Sequence, residues 1–172
     1  MKAEFVPLDL YAMTDNPFKL IADDWMLITA GTPESFNTMT ASWGALGELW
    51  NKKVCFVFVR PTRYTYEFME RSEYFTLSFF EEKLRPILNF CGRVSGRDMN
   101  KAEKAGLTPV TGTTGLVYFA EARMVIECRK VYYQDIIPSQ FLDASIHDNY
   151  PKKDYHRMYV GEVVQCLIRR ES

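Results

Sequence analysis

Six consecutive residues, Arg60-Pro61-Thr62-Arg63-Tyr64-Thr65, put two guanidinium groups and two threonine hydroxyls where a β-rich run gives way to a helix-forming one. Cations at the positive end of a helix cost a few tenths to about 1 kcal/mol each unless an anion is present, and an anion there would also accept the free backbone N–H groups. The segment therefore predicts a phosphate grip, with the bidentate geometry that arginine offers to phosphate oxygens. The alternative is that Arg60 and Arg63 point outward to carboxylates such as Glu67 or Glu70. Upstream, Asn37-Thr38-Met39-Thr40-Ala41-Ser42-Trp43-Gly44 alternates small hydroxylated residues with larger ones and ends in a bend at Gly44. Small side chains let a flat heteroaromatic ring approach the backbone, where main-chain N–H and C=O groups hold its imide-like edge and Trp43 or Met39 forms a wall. Taken alone, the same residues also read as an ordinary strand with Thr and Ser on its wet face.

A third stretch, Cys91-Gly92-Arg93-Val94-Ser95-Gly96-Arg97-Asp98-Met99-Asn100-Lys101, carries two glycines and three basic residues. It matches neither the phosphate loop nor the dinucleotide fingerprint, and it reads as a lid, a subunit contact or a solvated loop. The two histidines, His147 and His156, lie in an acidic, tyrosine-rich region, where Asp154 and His156 lack the further ligands of a metal site. No Gly-x-Ser-x-Gly elbow or Cys–His motif supplies a nucleophile. A phosphate grip and a flat-ring slot without an acid, base or nucleophile point to a cofactor that brings its own chemistry.

The elements that must position these residues are mostly strands. Of 172 residues, 47% are hydrophobic and 15% aromatic, enough for one core that buries roughly 70% of the unfolded chain's surface. A single domain over residues 1–172 is expected. β-rich stretches occur at Trp25–Ala30, Phe36–Trp43, Val54–Val59, Tyr74–Phe80, Leu116–Phe119, Glu121–Tyr133 and Met158–Ile168, giving about seven strands. Three short helices fit between them: one capped by Thr62 and running to Arg71, one over Lys83–Cys91 stopped by Gly92, and one capped by Asp98 and ending at Gly106. The helices do not alternate regularly with the strands, which disfavours a doubly wound sheet and predicts a mainly antiparallel barrel with helical excursions. Pro138–Lys153 reads as a polar loop.

Lys plus Arg number 21 and Asp plus Glu 22, so no net field holds a nucleic acid or an anionic membrane. The longest strand-like apolar run, Val54–Val59, is far too short for a membrane span, and Met1–Pro7 lacks the apolar core of a signal peptide, so a cytoplasmic protein is expected. Cys55, Cys91, Cys128 and Cys166 form no Cys-x-x-Cys pair and have apolar neighbours. Reduced, mostly buried thiols follow.

Four segments taken in order, Asn37–Gly44, Arg60–Thr65, Ser95-Gly96-Arg97-Asp98 with Lys101, and Asp154-Tyr155-His156 followed by Tyr159-Val160-Gly161-Glu162, resemble the flavin reductase-like proteins of the FMN-binding split-barrel superfamily, most closely the flavoredoxin group. The resemblance spans about Trp25 to Ile168. It implies a Greek-key split barrel, a homodimer and one FMN per subunit near the dimer interface. Carried onto this chain, Asn37, Thr38, Met39, Thr40, Ala41 and Ser42 would line the isoalloxazine ring. Arg60, Thr62, Arg63, Tyr64 and Thr65 would hold the ribityl phosphate, and Ser95 to Asp98 would close over the cofactor with Lys101 nearby. His156 matches a family histidine on the nicotinamide-facing side of the flavin; here Tyr155 is inserted into the more usual Asp-His pair.

The function expected from this resemblance is an NAD(P)H-dependent flavin or acceptor reductase, in which hydride passes to flavin N5 and electrons go onward to a small molecule or a protein. A flavoredoxin-type electron carrier that never meets NAD(P)H is the alternative. A third class is a barrel that binds another phosphate-bearing ring, as pyridoxal-phosphate relatives of the fold do.

Overall fold

The computed structural model describes residues 4–112 and 114–170. Its strands are β1 (Phe5–Pro7), β2 (Met26–Thr32), β3 (Ser35–Ala41), β4 (Gly44–Leu49), β5 (Lys52–Val59), β6 (Tyr74–Phe79), β7 (Pro109–Thr111), β8 (Val117–Phe119), β9 (Met124–Asp135) and β10 (Arg157–Arg169). Its α-helices are α1 (Pro17–Lys19), α2 (Tyr64–Arg71), α3 (Arg85–Arg93) and α4 (Lys101–Lys104). The main sheet follows the order β3-β2-β6-β9-β10-β5-β4 with β1 beside β10, and every pairing is antiparallel. A flat seven-strand path would hold its outer strands about 29 Å apart. Here those outer strands, β3 and β4, are joined only by Ser42 and Trp43, and three residue steps reach about 10 Å. The sheet must roll until its ends meet at a seam, as in the Greek-key split barrel, and the residues around Ser42 and Trp43 lie at that seam.

Rolling gives the sheet an inner and an outer face. Met26 and Ile28 of β2, Leu77 of β6 and Ile126 and Cys128 of β9 join the inner core with Val57 and Tyr159. Leu27 and Val125, one residue out of phase, join an outer core with Leu88 and Cys91 of α3, Ala102 of α4 and Tyr118 and Phe119 of β8. Strands buried on both faces can show continuous apolar runs, as Met26, Leu27 and Ile28 of β2 and Met124, Val125 and Ile126 of β9 do, whereas β6 alternates Phe75, Leu77 and Phe79 with the buried Thr76 and Ser78. All four cysteines are buried free thiols, as their apolar neighbours predict.

Several boundaries differ from expectation. β1, β4 and β7 come in addition to the predicted strands. β4 carries Gly44 and Gly47, poor strand formers, but it is zipped to β5 from Gly44↔Val57 to Leu49↔Lys52. Trp50 and Asn51 make its hairpin turn, both left-handed with φ of 54° and 56°, as a two-residue primed turn requires. The strand expected over Phe36–Trp43 ends at Ala41, and Gly44 opens β4. The N-cap of α2 is Arg63, not Thr62, and it makes no side-chain cap bond. Gly92 lies inside α3 instead of stopping it, and Val94 is the C-cap. Asn100, not Asp98, caps the next helix by accepting from the Glu103 N–H at 3.3 Å. The Pro138–Lys153 stretch contains two 3-10 turns, Pro138–Gln140 and Ala144–Asn149. Among the described residues no helix is long and apolar enough to cross a membrane.

Candidate functional site

β3 pairs with β2 along one edge only, so the backbone groups of its other edge face away from the sheet. Two hollows line up along this strand. One, of about 400 Å³, is bordered by Ser35 to Thr38, Tyr64, Gly96, Asn100 and Lys101. The other, of about 160 Å³, is bordered by Met39, Thr40, Ala41, Ser42, Trp43, Phe58, Arg60, Arg63 and His156. Since Arg63 borders one and Tyr64 the other, the start of α2 lies between them.

That helix start is open. Tyr66 N–H turns back to the Arg63 carbonyl at 3.0 Å, and among the described residues the Tyr64 and Thr65 N–H groups have no protein acceptor. An uncapped N-terminus flanked by arginines favours an anion through both its N–H groups and its dipole. Arg63 Nη1 donates to the Gly92 carbonyl at 2.8 Å, which leaves the rest of its fork free. Arg60 is more committed: it donates to Asp154 at 2.7 Å and to the Asn149 carbonyl at 2.8 Å, and it lies over the Tyr150 ring. Glu67 and Glu70, the carboxylates of the alternative reading, pair with neither Arg60 nor Arg63. Glu67 instead accepts from Arg97, whose guanidinium also lies over Tyr64.

Several other predicted residues have their side chains engaged within the protein. Thr38 is buried, with its hydroxyl bonded to Thr29 at 2.9 Å and to the Ile28 carbonyl at 3.2 Å. Thr40 donates to the Leu88 carbonyl, tying β3 to α3. Thr65 accepts from the Asn37 amide at 2.7 Å, tying α2 to β3. Those hydroxyls tie β3 to its neighbours, and among the described residues the outer edge of the β3 backbone stays unpaired. Thr62 borders neither hollow and lies 3.5 Å from Asp154. Ser95 accepts from the Arg97 N–H at 3.2 Å, shaping the turn that presents Gly96. A Cβ at Gly96 would sit 2.0 Å from Asn37 Oδ1, so this turn closes against β3 only with glycine.

Lys101 is buried and donates to the Cys91 carbonyl at 3.0 Å. Burial lowers its pKa to about 8; the Cys91 thiol opposes this shift and the Arg63 guanidinium adds to it. His156 is lowered to about 4, first by burial and then by Arg60, with Asp154 opposing and Arg63 adding, so the imidazole is neutral at physiological pH. The Trp43 ring tilts over it with centroids 5.2 Å apart. Phe58 and Tyr150, both close to His156, were absent from the sequence-based site. β5 is apolar from Val54 to Val59, so its residue types did not single out Phe58, whose partial burial beside the buried Val57 and Val59 emerges only in the fold. Nothing local marked Tyr150.

The fold and the site define a rolled antiparallel barrel with two hollows along one free strand edge, the smaller bordered by Arg60 and Arg63 and the larger by Glu34 and Lys101. The model of the flavin reductase like domain matches residues 18–172, and the chain belongs to that family. No curated protein matches the sequence. Among solved structures, the FMN-binding domain of a flavin reductases-like enzyme from Shewanella baltica superposes with a TM-score of 0.70 at 16% identity, covering 98% of this chain and 78% of that one. Flavoredoxin of Desulfovibrio vulgaris gives 0.66 at 22% identity, covering 95% and 76%. A Streptomyces globisporus NADH:FAD oxidoreductase, in complex with NAD and FAD fragments, gives 0.65 at 16%, covering 86% and 77%. At these identities the structural likeness establishes the shared fold, and the family match establishes an oxidoreductase in general.

Proposed function

We propose that the protein binds FMN and acts as an NAD(P)H-dependent flavin or acceptor reductase. The observation that carries this reading is the open start of α2 between two hollows on the free edge of β3, one a slot bordered by Trp43, Arg60 and Arg63 and the other bordered by Lys101. The groups present fit FMN. Main-chain atoms of Thr40, Ala41 and Ser42 suit the polar edge of the ring, with Met39 and Trp43 as walls. The Tyr64 and Thr65 N–H groups, the free part of the Arg63 fork and Lys101 suit a phosphate, and no glycine-rich turn is present for a second one. FMN, when bound, supplies the hydride and electron chemistry.

The chain's own residues bind, orient and exclude water. Trp43 and Phe58 pack around His156 as an apolar rim, which keeps water from one side of the slot and strengthens each polar contact inside it. A neutral His156 can orient the carboxamide of a nicotinamide without repelling the arginines beside it. One orienting contact near 1.4 kcal/mol corresponds to about tenfold in rate. His156→Ala is therefore expected to slow reduction by NAD(P)H about tenfold while FMN stays bound. Use of NADH is further supported by the oxidoreductase neighbour from Streptomyces globisporus.

The second reading, an electron carrier, is favoured by Trp43, which is 45% exposed at the mouth of the slot and open to a docking protein, and by the similarity to flavoredoxin. Anaerobic stopped-flow reduction of the FMN-loaded protein by NADH and by NADPH separates the two. Fast, saturable reduction supports the reductase; slow reduction without saturation supports the carrier; a protein that takes up no FMN overturns both. We also propose a cytoplasmic homodimer of single-domain chains, with no nucleic acid or membrane partner, passing electrons to a small molecule or a protein.

A further inference from the structure

Between β9 and β10 the chain leaves the barrel, and its aromatic side chains gather on one another. Phe141 packs against His147 with centroids 4.9 Å apart, Tyr150 against Tyr155 at 4.8 Å, and the rings of Phe141 and Tyr150 stack at 6.2 Å. This cluster buries Tyr150 and delivers its hydroxyl to His156 Nδ1 at 2.8 Å. The same excursion supplies Asp154 and the Asn149 carbonyl to Arg60. One segment outside the barrel thus sets two groups that line the slot.

A tyrosine–histidine bond runs in one of two directions, and the surroundings select one. Among the described residues the Tyr150 hydroxyl has no other acceptor, so its proton goes to Nδ1. Nδ1 is then an acceptor and the neutral ring carries its own proton on Nε2. Among the described residues Nε2 has no protein partner, and His156 borders the slot, so Nε2 is the ring nitrogen left for a ligand there. The charged and titratable groups around the imidazole are Tyr150, Arg60, Arg63 and Asp154. Arg60 and Asp154 are paired with each other.

We propose that Tyr150 is a positioning residue that holds His156 in the Nε2–H tautomer, making it a neutral hydrogen-bond donor into the slot for a carbonyl or carboxamide oxygen of the substrate. The slot as a flavin and substrate site rests on the function proposed above; the tautomer rests on the Tyr150 contact alone. A substrate without such an oxygen would gain nothing from this donor, which narrows the class to carboxamides, such as a nicotinamide, and to carbonyl compounds.

Two measurements test this. The chain has only two histidines, so long-range ¹⁵N–¹H spectra of histidine-labelled protein are simple, and His147→Gln assigns the remaining ring. Wild-type protein at pH 7 is expected to show the Nε2–H tautomer for His156, and Tyr150→Phe a mixture of the two. A wild-type Nδ1–H tautomer, or a spectrum unmoved by Tyr150→Phe, overturns the proposal. In the second test, Tyr150→Phe is expected to slow hydride transfer five- to tenfold in the wild-type background. It should have no effect in a His156→Gln background, where a fixed amide N–H stands near the place of Nε2. Equal losses in both backgrounds would make Tyr150 a packing residue only. A protein that takes up no FMN would refute the function proposed above, while the tautomer spectrum, recorded without cofactor, still decides the role of Tyr150.

Discussion

At the residue scale the site depends on how each cation is already engaged. Arg63 spends one N–H on the Gly92 carbonyl and keeps the rest of its fork, so Arg63→Ala should weaken FMN binding more than Arg63→Lys, which retains the charge. A charge-assisted phosphate contact is worth about 1.5 to 3 kcal/mol, or roughly ten- to a hundredfold in affinity; titration by flavin fluorescence quenching measures it, and unchanged affinity in the alanine variant would remove Arg63 from the grip. Lys101 adds a pH dependence. Its pKa is lowered to about 8 by burial, so the free protein loses this charge as pH rises through 8, and phosphate binding must then recapture a proton. FMN affinity is expected to fall above about pH 8 in the wild type and to stay flat in Lys101→Arg, whose charge persists. The stability of the protein without FMN carries the opposite sign: because the folded pKa lies below the unfolded one, stability from this group increases between pH 8 and the ordinary lysine value. Identical pH profiles for wild type and Lys101→Arg would show that Lys101 does not meet the phosphate.

At the element scale, β10 tolerates no side chain at Gly161. The strands flanking it, β5 and β9, bring Cys55 Sγ and Cys128 Sγ within 3.3 Å of each other beneath it. A Cβ on Gly161 would lie 2.6 Å from Phe75 Cζ and 2.9 Å from Cys128 Cβ. Overpacking of this kind costs about 1 to 3 kcal/mol, so Gly161→Ala should lower the midpoint of thermal or denaturant unfolding; an unchanged midpoint would show that Phe75 moves aside freely. The sequence contains the glycine, but its neighbours come from positions far away in the chain. The same holds for α2. The run from Tyr64 to Arg71 is legible as a helix, whereas the cap is not: Thr62 has the chemistry of a cap, yet it lies in the turn before Arg63, and the N-terminus stays open. Asn100 displaces Asp98 as the cap of α4 for a similar reason, since Asp98 belongs to a turn closed by its N–H on the Ser95 carbonyl at 3.2 Å.

At the scale of the whole molecule, the rolled sheet leaves aromatic surface uncovered. Tyr11 and Phe18 are 83% and 84% exposed beside apolar hollows that share Pro17 and Leu46. The proposed homodimer should therefore scatter light as twice the chain mass at micromolar concentration; a monomer with FMN bound would contradict it. The order of residue types by itself determined the strand-rich class, the strand-to-helix junction at Arg60–Thr65 and the small-residue run at Asn37–Ser42, because these are properties of near neighbours. Only the tertiary structure decided which groups remain free for a ligand. Asn37 donates to Thr65 across 28 positions, Arg60 is claimed by Asp154 across 94, and Tyr150 reaches His156 through a cluster outside the barrel. Hydrogen-bonding capacity is finite, and its allocation depends on which distant strands the rolling of the sheet brings together.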